Sequence, residues 1–130
     1  MELDLTVTVS VIIALCAIVS PILVAIINNR HQRKMKQLEI AKEHKMKAFE
    51  TYLCNLEIYI RNISTENFTN YCESLGNAIL YASLSTQRLI IEIDDVIHSS
   101  IIKKNYENPV SQDLILKVAG CLQKDMSIYK

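Results

Sequence analysis

Leu5 to Asn29 are twenty-five consecutive positions without a charged side chain, dominated by Val, Ile, Leu and Ala. An α-helix rises about 1.5 Å per residue, so about 20 apolar residues cross a hydrocarbon core of roughly 30 Å. The pattern predicts a transmembrane helix over 5–29, behind a short tail, 1–4. From Arg30 to Ile63 there is neither Gly nor Pro. Good helix formers fill the gap, so the helix is expected to continue as a polar stalk over 30–47. Glu39 with Lys42 and Glu43 with Lys47 add i,i+3 and i,i+4 pairs that support an exposed helix. Farther on, Phe49, Tyr52, Leu56, Tyr59 and Ile63 recur at alternating three- and four-residue steps, widened by Leu53 and Ile60. That spacing belongs to a bundle or coiled-coil helix with one buried face.

Three more helices follow from caps and periodicity. Ser64-Thr65-Glu66-Asn67 supplies an N-cap cluster for a helix reaching about Ala82, with Phe68, Tyr71, Cys72, Leu75, Ile79 and Leu80 facing inward. Gly76 lies inside it, where a close helix contact would explain a residue of low propensity. Ser85-Thr86 is expected to cap a helix carrying Leu89, Ile90, Ile93, Val96, Ile97 and Ile101. Asn105 to Val110 contains Pro109 and reads as a turn. Ser111 then caps a last helix with Leu114, Ile115, Val118, Leu122 and Met126 on one side. Period-two alternation is absent. The predicted fold is all-α: a transmembrane helix, a helical stalk, and a small antiparallel cytosolic bundle over 48–130.

Charge sets the orientation. The chain is formally neutral, but 1–29 carries −2, 30–47 carries +5 and 48–130 carries −3. Lys and Arg close to a span end stay on the cytoplasmic side and attract anionic lipid. The tail 1–4 should therefore face outward and the C-terminal part lie in the cytosol, as in a single-pass inner-membrane protein. Arg30, Arg33, Lys34 and Lys36 are the expected contacts with anionic headgroups, with Lys42 and Lys45 as further candidates. A cleaved signal peptide fits poorly, because Glu2 and Asp4 make the leading segment acidic and the apolar run is too long. In a cytosolic tail the sequons Asn62-Ile63-Ser64 and Asn67-Phe68-Thr69 are chance matches, better read as a helix stop and restart. The mildly acidic distal part also opposes nucleic-acid binding.

Candidate chemistry is sparse. Asp94 and His98 are one helical turn apart, beside Glu92 and Asp95. They are the only plausible ligand or acid–base pair, set against the plainer reading of a solvated polar face. Cys16, Cys54, Cys72 and Cys121 lack CxxC spacing and read as buried free thiols. His31 and His44 read as ordinary polar residues of the stalk. No phosphate loop, nucleophile elbow or HExxH occurs, so neither catalysis nor a cofactor or metal is predicted. Within the span, Ala17, Pro21 and Ala25 form a row at four-residue spacing that permits close approach of two helices. Pro21 should also kink the helix near Ala17.

Ser20-Pro21, Asn28-Asn29-Arg30-His31-Gln32 and the Lys/Glu-rich helix behind them, with Ser74 to Tyr81 as a weaker extension, carry a resemblance. The arrangement resembles small single-span membrane proteins of bacteria and their prophages. The resemblance implies an inner-membrane protein with a cytosolic helical domain and brings no activity or site residues. The expected function is non-enzymatic: an anchored bundle for self-association or for binding a cytosolic protein partner. The alternative is a membrane-perturbing effector of holin-like or abortive-infection type.

Overall fold

The computed structural model describes residues 2–104 and 110–127, with side chains described from Asp4 onward. The fold is all-helical, and no strand occurs among these residues. The elements are α1 (Glu2–Arg61), α2 (Thr65–Tyr81), α3 (Leu84–Ile102) and α4 (Gln112–Ser127). They divide into two units, Met1–Ile40 and Ala41–Lys130.

The first unit is the N-terminal part of α1. Its helix passes through Pro21, which the i→i−4 ladder tolerates at the loss of one donor. The hydroxyls of Thr8 and Ser10 donate back to the carbonyls of Asp4 and Thr6, at 2.6 and 2.8 Å. Their polarity is thus satisfied inside the helix itself.

The second unit is built around one core drawn from all four helices. Phe49, Tyr52, Leu56 and Tyr59 of α1 are buried, as their spacing predicts, with Leu53, Ile60 and Ile63 partly covered. Tyr71 and Ala78 of α2, Ile90, Ile93 and Ile97 of α3, and Val118 and Leu122 of α4 meet them. Each fully buried large apolar side chain contributes about 1.5–3 kcal/mol relative to exposure. Tyr59 stacks on Tyr71 at 5.9 Å between ring centres, and Phe68 lies against both. Val110, just before α4, is also buried. The turn expected at 105–109 lies outside the described residues.

The connections follow local capping chemistry. Ser64 caps α2 by accepting the Asn67 backbone N–H at 3.1 Å, and the Asn67 side chain donates to the Asn62 carbonyl at 2.7 Å. Ser111 receives the Leu114 N–H at 3.3 Å, as its position before α4 suggests. Four local expectations need correction. The N-cap of α3 is Ser83, not Ser85 or Thr86, and its hydroxyl makes no cap bond to the backbone. Leu80 is 80% exposed: at 100° per residue it lies about 200° round the helix from buried Ala78. Gly76 has nothing within 4 Å of where a Cβ would stand, so no close helix contact requires it. Cys54 is exposed rather than buried, while Cys72 and Cys121 are half-buried.

Candidate functional site

The sequence-nominated pair on α3 does form a local unit. His98 Nδ1 lies 3.0 Å from the Asp94 carbonyl and 3.3 Å from Asp94 Oδ1, and its ring meets Phe68 edge-on at 5.9 Å. Behind the carboxylate, the buried Tyr71 hydroxyl donates to Asp94 Oδ1 over a long 3.3 Å. Burial, then neighbouring Tyr52 and Asp94, pushes the Tyr71 phenol well above its ordinary value. The phenol therefore stays protonated and acts as a donor, not a base. Tyr52 is fully buried, and burial pushes its phenol up as well. Its hydroxyl neighbours that of Tyr71, and each influences the other's ionisation, yet among the described residues no partner meets full hydrogen-bond geometry with it. Burial and the nearby Asp94 raise the Cys72 thiol, which disfavours the reactive thiolate. Glu92 and Asp95 stay on the exposed side of α3. Among the described residues, no group of three His, Cys, Asp or Glu could hold a metal ion. The cluster is a polar edge to an aromatic core, in which the Tyr71 hydroxyl and His98 Nδ1 both turn to Asp94.

A second polar cluster, absent from the sequence reading, lies where α3 begins and α4 ends. Asp125 is 5% exposed and its Oδ2 accepts the Ser83 backbone N–H at 2.8 Å. Burial raises the Asp125 carboxyl, but the Ser83 N–H, the Ser83 and Thr86 hydroxyls and the Lys45 charge outweigh it. The net result holds the carboxyl below the usual carboxylate range. Ser83 and Thr86 hydroxyls are 3.0 Å apart, and Thr86 is fully buried. Lys45 Nζ reaches the Asp125 carbonyl at 3.3 Å and sits 5.6 Å from the centre of the Phe49 ring. Lys45, a headgroup candidate by sequence, is thus buried inside the second unit. Gln87 completes the corner by donating to the carbonyls of Ile79 and Ala82, both at 3.1 Å, which closes the end of α2. Only the Ser-rich turn hinted at this network. Its other members are separated by up to 80 residues, and no local pattern links them.

Among the described residues of the second unit, two apolar surfaces bear on binding. Leu80, Tyr81 and Leu84 protrude at the α2–α3 turn. A groove of about 410 Å³ runs between the C-terminal part of α1 and the start of α4. Leu53, Ile60, Ile115 and Leu116 line it, with the Glu57–Arg61 ion pair at its rim. In the first unit, Arg30, Arg33, Lys34 and Lys36 are exposed on α1, as are Ala17, Pro21 and Ala25. Comparison with protein-family models, curated proteins and solved structures gave no match for this chain.

Proposed function

We propose that the chain is a single-pass membrane-anchored interaction protein, presenting a cytosolic antiparallel helical bundle for self-association or for a protein partner. One observation carries this reading: α1 is apolar on every side over 5–29 and exposed on every side. Val7, Ile12, Leu15, Ile18, Val24 and Ile27 are each more than half exposed, and at 100° per residue their directions spread over about 260° of the helix circumference. Packing against another protein would cover a stripe; a helix apolar all round needs apolar surroundings on all sides, which lipid supplies. The basic residues that follow support an inward-facing C-terminal part, with Arg30, Arg33, Lys34 and Lys36 at anionic headgroups.

Cys54, exposed on α1, provides the test. With Cys16, Cys72 and Cys121 replaced by Ser, a membrane-impermeant maleimide should leave intact cells unlabelled and label Cys54 after permeabilisation. Labelling of intact cells would reverse the orientation. Because the span is uncharged, it offers no polar wall for an aqueous channel. Expression is accordingly expected to leave membrane potential and dye exclusion unchanged. Dye entry at low expression would transfer the reading to a membrane-perturbing effector.

A further inference from the structure

Within the first unit, one row of α1 runs in strict heptad steps. Val24, Asn28, His31, Met35 and Leu38 are separated by four, three, four and three residues, and Ala17 and Pro21 continue the row upstream. The same phase carried forward reaches Lys45, Phe49, Tyr52, Leu56 and Tyr59, which the second unit buries. Met35 and Leu38, by contrast, are 54% and 51% exposed in the most polar stretch of the helix. They have the periodicity of a packed seam, and among the described residues of the first unit nothing covers them.

We infer that this seam is covered by the same seam of a second copy, as a parallel two-stranded coiled coil over about 24–38. The inference rests on the anchored reading above, because a shared bilayer aligns two copies in parallel and holds equal residues at equal depth. Three features favour a second copy over a foreign helix. With Met35 at position a and Leu38 at d, Lys34 falls at g and Glu39 at e. In a parallel, in-register pair, g of one helix meets e of the next heptad in the other, so Lys34 faces Glu39 of the partner copy, twice by symmetry. Asn28 falls at position a, where a single polar amide favours an in-register parallel pair at some cost in stability. Finally, the seam is continuous with Ala17 and Pro21, and Ala25 flanks it, so small residues face the partner where the helices lie in lipid. Lys42, at the next a position, ends the apolar row.

The test uses the full chain in native membranes, with its four cysteines replaced by Ser and single cysteines introduced in turn. Copper-phenanthroline oxidation should give disulfide-linked dimers at Met35→Cys and Leu38→Cys. Their yield should exceed that at the off-seam Lys36→Cys and Gln37→Cys by about fivefold or more. Adding Lys34→Glu to Leu38→Cys should cut the yield severalfold, and adding Glu39→Lys as well should restore it. Equal yields at all four positions, a maximum at 36 or 37, or no rescue by the double exchange overturns the seam. So does selective capture of Leu38→Cys by a different protein. Each sample is also washed in alkaline carbonate. A chain that stays in the membrane yet gives no seam-specific dimer refutes the pairing and leaves the anchor standing. Release by carbonate overturns the anchor and, with it, the parallel pairing.

Discussion

Asp125 shows how much of the second unit's order depends on a single side chain. Its carboxylate satisfies the Ser83 N–H and neighbours two hydroxyls, and its backbone carbonyl receives Lys45. Asp125→Ala should cost about 2–3 kcal/mol, the range for losing hydrogen bonds to a buried charge. Thermal unfolding of the full chain in mild detergent measures it; a loss near zero would show that the corner is dispensable. The carboxyl is held below its ordinary value, so its contribution is complete above the unfolded value of about pH 4. It is lost as pH falls through the lower folded value. The stability gap between the native chain and Asp125→Asn should therefore be flat from about pH 5 to 8 and close in stronger acid. The two tyrosines should behave oppositely. Tyr71→Phe removes a bond to Asp94 and should cost about 1 kcal/mol, whereas Tyr52→Phe removes an unpartnered buried hydroxyl and should be neutral or stabilising. None of these roles was legible in sequence. Lys45 read as a headgroup contact and Asp125 carried no local signal, because their partners come from distant segments and burial of a charge is decided only by tertiary neighbours.

At the level of elements, periodicity and capping were the readable signals. The three- and four-residue spacing of Phe49, Tyr52, Leu56 and Tyr59 found the buried face of α1, and Ser64 and Ser111 marked where α2 and α4 begin. Capping failed at α3 because three hydroxyl residues, Ser83, Ser85 and Thr86, compete within four positions. The choice among them falls to Asp125, which holds the Ser83 N–H from α4. Leu80 was misplaced because hydrophobicity alone drew it inward; the angle it subtends from Ala78 puts it outside. The two glycines lie in helix interiors with open space beside them. Gly76→Ala and Gly120→Ala should each raise stability by about 0.5–1 kcal/mol, by restricting the unfolded chain and improving propensity. A loss of stability in either variant would reveal a contact that the isolated chain lacks.

Across the whole molecule, two kinds of helix surface coexist. In the second unit each helix hides one face and exposes the others, and hydrogen bonds at the Asp125 corner and the Asp94 edge engage most of the polar groups the core borders. In the first unit every described side chain is exposed, although it carries the most apolar sequence in the chain. That contrast was legible from the sequence, because an uncharged run of this length has few physical solutions. The Asp94–His98 pair was legible as a juxtaposition too, but the Tyr71 hydroxyl that holds it to the core was not. Its partner is 23 residues away and on another helix.

Alkaline carbonate extraction of membranes containing the native chain is the most direct test of lipid cover around 5–29. The chain should remain wholly in the membrane pellet and float with lipid on a density gradient. Recovery of the intact chain in the carbonate supernatant would contradict it.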